Sequence, residues 1–181
     1  MQCIKCSKPA KIDMKHLGGS LCPNCFAEVI EKRVRKSLRE HDWIKPSDKI
    51  VLIDDGTLKS KVSICLLESI FKNQPFKIDF KKGTIQSAPE LSKGYDKVII
   101  PWNMDDTVEQ FLDALLNNKK VLKTRCIKLL INVSDEEITL FAKIKKIKGK
   151  KRAKTRLGKM IDELEKRYPG SKFGLLKAIS P

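Results

Sequence analysis

Lys49-Ile50-Val51-Leu52-Ile53-Asp54-Asp55-Gly56-Thr57-Leu58-Lys59-Ser60 is the stretch on which the fold turns. Its run of large aliphatic residues, Ile50 to Ile53, reads as a short buried strand. Asp54-Asp55-Gly56-Thr57 then makes a turn. A helix follows from about Lys59 to Lys72, with Val62, Leu66, Leu67 and Ile70 spaced to face inward. Strand, tight turn and helix in this order form the opening unit of an alternating α/β chain.

Toward the C-terminus the alternation continues. A short strand is predicted at Phe76 to Phe80, then a polar stretch to about Tyr95, then a strand at Lys97 to Ile100. Asp105 to Asn117 reads as a helix with Val108, Phe111, Leu112 and Leu115 on one face. Ile127 to Val133 is strand-like. Ser134 with Glu137 three residues on is a capping box, expected to start a helix carrying Ile138, Phe141, Ile144 and Ile147. A last helix, with Leu157, Met160, Ile161 and Leu164, stops before Pro169-Gly170. Strands alternating with helices predict a reduced, doubly wound parallel sheet covered on both faces.

Toward the N-terminus, Lys45-Pro46-Ser47-Asp48 reads as a linker. Before it, Phe26, Val29, Ile30, Val34 and Leu38 recur at helical spacing, so the stretch to about His41 is an amphipathic helix. Its other face carries Lys32, Arg33, Arg35, Lys36 and Arg39. Ahead of this helix stand two Cys-x-x-Cys pairs, Cys3 with Cys6 and Cys22 with Cys25, separated by fifteen residues. Two thiolates from each tight turn complete a tetrahedral shell, so a structural zinc ion is expected there. His16 is a competing ligand in principle, but four cysteines already fill the shell. A redox pair or an iron–sulfur site are the alternatives. A redox pair needs no second pair at this distance, and no βαβ pattern surrounds the first.

At 181 residues the chain accommodates one ordinary core and a small appended module. Hydrophobic residues at 41% and charged residues at 33% describe a globular protein and exclude disorder. No apolar run reaches the roughly 18 residues that span a bilayer, and no apolar h-region follows the N-terminus. A cytoplasmic location, no membrane partner and reduced cysteines are expected. The 38 Lys and Arg against 22 Asp and Glu give a net charge of +16 and a pI of about 9.6. Ten cations and no acid fall between residues 143 and 159, eight of them from Lys145 to Arg156. Such a run is self-repelling, and a polyanion offsets that cost. Nucleic acid is the expected partner.

The order of these parts resembles the PP-loop tRNA-thiolation proteins. Cys22-Pro-Asn-Cys25-Phe26, Glu31-Lys-Arg-Val-Arg35 and the strand Lys49 to Ile53 stand in the family's order. Trp102-Asn103-Met104-Asp105-Asp106 is similar to its Gly-His-Asn-x-Asp-Asp motif, and Ile127-Lys128-Leu129-Leu130 to Glu137 to its Ile-Lys-Pro-Leu segment. Leu164-Glu165-Lys166-Arg167-Tyr168-Pro169-Gly170-Ser171-Lys172-Phe173 looks like its closing Leu-Glu-x-x-x-Pro-Gly-x-x-Phe. The resemblance covers nearly the whole chain in pieces. It implies a PP-loop or adenine-nucleotide-hydrolase-like α/β fold with an N-terminal zinc knuckle. Residues 1–44 would form the zinc module and basic helix, and residues 45–181 the α/β domain.

The departures from that family concern its chemistry. Where it has Ser-Gly-Gly-Lys-Asp-Ser to bind the pyrophosphate of ATP, this chain has Asp55, Gly56, Thr57, Leu58, Lys59 and Ser60. A carboxylate at the first position repels pyrophosphate, and the lost glycine removes room for backbone N–H groups to approach it. Between Phe80 and Pro101 there is no cysteine for sulfur transfer or a cluster, and Cys65 and Cys126 read as small core residues. The expectation is therefore a degenerate loop at Asp55, Gly56, Thr57, Lys59 and Ser60, no ATP, and no catalysis. The chain is read as a non-catalytic, tRNA-binding partner of an active PP-loop paralogue in wobble-uridine 2-thiolation. Self-association stays open. Arg33, Arg35, Lys36 and Arg39, with Lys150, Lys151, Arg152, Lys154 and Arg156, are the expected RNA contacts, acting mainly on phosphates. An active ATP-dependent thiolase with a variant loop, and a free-standing zinc-ribbon RNA-binding protein, are the alternatives.

Overall fold

The N-terminal segment folds back on itself before any of the main sheet forms. In the computed structural model, which describes residues 1–41, 43–73, 77–119 and 126–179 (the backbone only at Lys15), β1 (Ile12–Met14) pairs antiparallel with β2 (Gly19–Leu21). A single 3-10 turn, Lys15–Leu17, joins them. Helix α1 (Pro23–Glu40) starts at a proline, whose missing N–H costs nothing in a first turn, and buries Phe26, Ile30, Val34 and Leu38.

The rest of the chain alternates. β3 (Ile50–Asp54), α2 (Leu58–Phe71), β4 (Ile78–Lys82), the one-turn helix α3 (Ala88–Leu91), β5 (Lys97–Asn103), α4 (Met104–Leu116), β6 (Ile127–Leu130) and α5 (Asp135–Ile144) follow in order. Helices α6 (Arg156–Arg167) and α7 (Ser171–Ile179) close the chain. The four long strands form one parallel sheet in the order β4-β3-β5-β6, with Leu52 beside both Phe80 and Ile99. This is the expected α/β, doubly wound parallel sheet. From β3 the chain first winds outward to β4, then crosses back to β5 and β6. The direction of winding reverses between β3 and β5, and the crevice at the C-terminal ends of such a pair is where α/β sheets place their sites.

One face of the sheet packs Ile50, Leu52, Ile99, Ile127 and Leu129 against α1, α2 and α5. That core runs without a break into Cys3, Cys22, Cys25 and Leu21 of the N-terminal segment. The opposite face sets Ile53 and Ile100 against Ile85, Ala88 and Leu91. A third cluster, Met104, Val108, Ile161 and Leu176, fastens α6 and α7 to α4. Among the described residues no helix is long and apolar enough to cross a membrane.

Several boundaries differ from the sequence expectation. The second long strand runs Ile78–Lys82, and Phe76 lies outside the described residues. The stretch before Tyr95 contains the 3-10 turn Ile85–Ser87 and α3. β6 stops at Leu130, because Val133 N–H turns back to the Leu130 carbonyl at 2.8 Å. Ile147 lies beyond α5 but still packs on the core. Lys146, at φ 56°, ends the helix in a Schellman turn, with Ile147 N–H bonded to the Ala142 carbonyl at 2.8 Å. Met160 and Leu164, expected on the packed face of α6, are 52% and 40% exposed, and Leu115 on α4 is 66% exposed. α6 packs mainly against α4 and α7, and the Leu157–Ile161 stripe is the side that they cover.

One buried carboxylate ties the layers together. Glu137 is fully buried on α5 and closes the capping box, accepting the Ser134 N–H at 2.9 Å. The same carboxylate takes the Arg33 guanidinium of α1 at 2.9 and 3.0 Å and His16 Nε2 of the hairpin at 3.0 Å. Arg33 also donates to the Asn132 carbonyl at 2.9 Å, and both Arg33 and His16 lie against the Phe173 ring of α7. Burial acts to raise the Glu137 carboxyl, but the His16 hydrogen bond and the Arg33 charge outweigh it and hold it below the ordinary glutamate range.

Replacing Glu137 with Gln leaves Arg33 facing no charge and should cost about 3–5 kcal/mol, measured by urea unfolding at neutral pH. Because the folded carboxyl titrates lower than the unfolded one, its contribution is present at neutral pH. It is lost as pH falls below the ordinary glutamate value of about 4.3. E137Q should flatten that acid limb, and an unchanged stability–pH curve would show that the pair does not hold the layers together.

Candidate functional site

The hairpin and the first turn of α1 bring four sulfurs together. The Sγ atoms of Cys3, Cys6, Cys22 and Cys25 all lie within 4.8 Å of one another, three of the residues buried and Cys6 exposed. Cys22 caps α1, its sulfur accepting the Cys25 N–H at 3.5 Å. Burial opposes the Cys3 thiolate, but the amides of Cys22, Lys5 and Cys6 outweigh it and bring that thiol down to about 6. Cys25 is pushed up by the sulfurs of Cys6 and Cys22. Four thiols this close can be ionised together only around a shared cation, so the donor set fits a metal centre. His16 does not join it, since its Nε2 is bonded to Glu137. Cys65 and Cys126 pack against the two faces of the sheet instead, and burial raises the Cys65 thiol.

Most amides of the loop between β3 and α2 are met within the protein. Gly56 N–H donates to Asp54 Oδ1 at 2.9 Å, and Thr57 N–H donates to Asp55 Oδ1 at 3.0 Å. Leu58 N–H donates to the carbonyl of Lys150 at 2.8 Å, and Ser60 N–H to Thr57 Oγ1 at 3.4 Å. Gly56 sits at φ 74°, a conformation glycine adopts at no steric cost. Asp54 is further held by Ser60 Oγ at 2.6 Å and Lys61 Nζ at 2.6 Å. In this arrangement the N–H groups of Gly56, Thr57, Leu58 and Ser60 each have an acceptor within the protein, and the Asp55 carboxylate lies among them.

The acceptor for Leu58 comes from the basic run. Residues 148–155 cross the strand ends as a strap, with Thr57 and Lys150 forming an isolated parallel bridge. Gly149 makes the close approach: a Cβ there would stand 2.7 Å from Leu58 Cα and 2.9 Å from its nitrogen. At its far end Thr155 caps α6 and donates to Glu109 at 2.6 Å.

Beneath the strap lies a cleft of about 1240 Å³, at the C-terminal ends of β3 and β5. Its floor alternates in charge. Lys59 Nζ is held by Asn103 at 3.1 Å, Asp106 at 2.8 Å and Asp135 at 3.0 Å. Lys172 Nζ bonds Asp105 and, at 2.6 Å, Asp162, which also takes Lys154. Burial lowers the Lys59 amine, but the Asp106 and Asp135 charges outweigh it and raise it. Asp105 is raised, first by burial and then by the Asp135 charge, with Lys172 opposing.

The expected RNA contacts separate into two kinds. Lys150, Lys151, Arg152, Lys154 and Arg156 are exposed along the strap. On α1, Arg39 is exposed, Arg35 half-buried and Lys36 paired with Glu40 at 3.4 Å. Arg33 is turned inward to Glu137, so this expected RNA contact is instead a packing and ion-pair residue. Asp135 and Lys172 were not anticipated. The structure shows an Asn103–Asp106 capping box at the start of α4, and nothing in the sequence pointed to a lysine on α7 reaching the same place.

No family model matches the chain. It is 32% identical over 97 residues to the tRNA-5-methyluridine(54) 2-sulfurtransferase of Thermotoga maritima, a match covering 50% of this chain and 31% of that protein. The matched part thus spans under a third of that relative's length. The fold is similar to that of the U34-tRNA thiolase NcsA of Methanococcus maripaludis, solved with its [4Fe-4S] cluster. The TM-score is 0.83 and the identity 20%, covering 98% of this chain and 85% of that one. At that identity the likeness establishes a shared fold.

Two expectations are corrected by these comparisons. The reading as a non-enzyme is overturned, because both similar proteins are enzymes, a sulfurtransferase and a thiolase. The assignment of structural zinc is overturned as well. The protein of the same fold carries an iron–sulfur cluster, and four thiolates are equally a donor set for iron and sulfide.

Adding a methyl group at Gly149 (G149A) should lift the strap from the loop. The loss of one or two backbone hydrogen bonds, about 1–2 kcal/mol, should speed hydrogen exchange at the Leu58 amide roughly 5- to 30-fold. An unchanged exchange rate would show that the strap does not protect this amide.

Proposed function

We propose that the chain is a member of the PP-loop tRNA-thiolation family and acts in placing sulfur on a tRNA uridine. The observation that carries this reading is the cleft at the β3–β5 strand ends, rimmed by exposed cations, in a fold similar over 98% of the chain to a tRNA thiolase. The strap from Lys148 to Arg156 receives tRNA phosphates, and the cleft below it receives the base to be modified. Lys150, Lys151, Arg152 and Arg156 make those contacts along the strap, and Arg35 and Arg39 extend them over α1. Lys59 and Lys172 sit as fixed, charged amines among Asp105, Asp106 and Asp135, so the floor of the cleft is preorganised.

In this reading residues 1–44 are a metal-binding module with its basic helix, and residues 45–181 are the α/β domain. Cys3, Cys6, Cys22 and Cys25 would hold the metal centre. A group bound by these four thiolates would tie the hairpin to the first turn of α1. The chain's own residues shape the rest: Asp54 and Asp55 close the loop before α2, and the Lys150 carbonyl caps it.

Deleting the gene in its host should remove one 2-thiouridine species from bulk tRNA, quantified by mass spectrometry of nucleosides. A full complement of thiolated nucleosides in the deletion strain would reject the proposal. Replacing Cys22 and Cys25 with serine should abolish metal retention, read by iron, zinc and acid-labile sulfide content of protein purified without oxygen. Wild-type protein without bound metal or sulfide would remove the metal centre from the reading.

A further inference from the structure

At the other end of the sheet a second groove opens, of about 590 Å³. It lies where β3 and β4 begin and where the chain turns into β5, and it is lined by Lys49, Lys77, Lys81, Lys93 and Tyr95. Among the described residues none of these four lysines is drawn into an ion pair. On the floor of the cleft, by contrast, Lys59 and Lys172 each hold a carboxylate. Two acids also line the groove, and each has a partner of its own. Asp48 accepts the Lys45 N–H at 2.8 Å, and Asp79 accepts the Tyr95 hydroxyl at 2.6 Å. Lys81 Nζ lies 4.6 Å over the Tyr95 ring, which places one cation at the wall of the groove.

Lysines on an edge strand commonly guard it against pairing with another chain. That accounts for Lys77 and Lys81, which flank and lie on β4, the edge of the sheet. It does not account for Lys49 and Lys93, which come from two other segments and converge on the same concavity. Four cations against the two carboxylates leave the groove with a net positive charge, and a chain of phosphates neutralises that excess while releasing counterions. The five-residue β3 separates this groove from the strap by about 17 Å, a span that one RNA molecule bridges.

We propose that this groove is a second docking surface for the phosphodiester backbone of RNA, separate from the strap. The proposal rests on RNA being the partner and not on the thiolation step, so it is read by binding alone. The probes are an unmodified tRNA transcript and a short RNA duplex, titrated across a salt series against the full chain. Replacing two of the three exposed lysines (K77A/K93A) should make the slope of log affinity against log salt shallower by about 1.4–1.8, the loss of two phosphate contacts. A K150A/K151A/R152A strap variant should lower the slope independently, and the two losses should add. A slope for K77A/K93A equal to that of the wild type would overturn the proposal. So would wild-type protein with no salt-dependent RNA binding. A variant that loses affinity for polyglutamate while keeping the RNA slope would assign the groove to an acidic protein instead. Normal tRNA thiolation in a deletion strain would reject the thiolation reading and leave the groove standing.

Discussion

The Glu137 carboxylate is the constraint on which the arrangement depends. A fully buried carboxylate is tolerated only when its charge and lone pairs are met, and here three separate parts of the chain meet them. The hairpin supplies His16, α1 supplies Arg33 and the start of α5 supplies its own backbone amide. Phe173 on α7 then covers the cation and the imidazole. The four-cysteine segment is therefore not an appendage on a flexible tether. Its apolar side merges with the core under the sheet, from Leu21 and Phe26 to Ile50 and Leu52.

Charge elsewhere is sorted by depth. Cations near the strand ends are enclosed by aspartates, so that Lys59 and Lys172 hold fixed positions in spite of burial. Lys150, Lys151, Arg152 and Arg156 on the strap are exposed, while Lys154 turns to Asp162. The strap serves both layers. Its backbone closes the loop before α2, and its side chains face solvent. Gly149 makes this double use possible, because any side chain at that position would strike the backbone of Leu58.

Much of the fold was legible because its signals are local. The aliphatic run Ile50–Ile53, the turn at Gly56 and the Ser134–Glu137 box place a strand, a loop and a helix start without reference to anything distant. Features that depend on tertiary neighbours were not legible. Helical spacing groups Leu157, Met160, Ile161 and Leu164, yet only the side facing α4 and α7 is covered. Arg33 looks like any other cation of a basic face until Glu137, 104 positions away, is placed beside it. Lys172 gives no sign of burial in a sequence where lysine is the commonest charged residue. The two functional misreadings have a common origin. Cysteine spacing defines a donor set but not the metal it holds. Altered residues in one loop describe that loop and not the capacities of the whole cleft.

The Lys172 contact has a consequence for how the site comes into being. Asp105 and Asp135 are joined through the Asp135 N–H, and Asp162 lies close by, all on segments that precede α7 in the chain. With the sheet and α4 to α6 assembled, Lys59 and Lys154 already face Asp135 and Asp162, and Asp105 alone lacks its amine. Only when α7 docks does Lys172 neutralise Asp105 and bring Phe173 over Arg33. The cleft is thus complete only with α7 in place, and a chain in which that helix is undocked carries the sheet without a finished site.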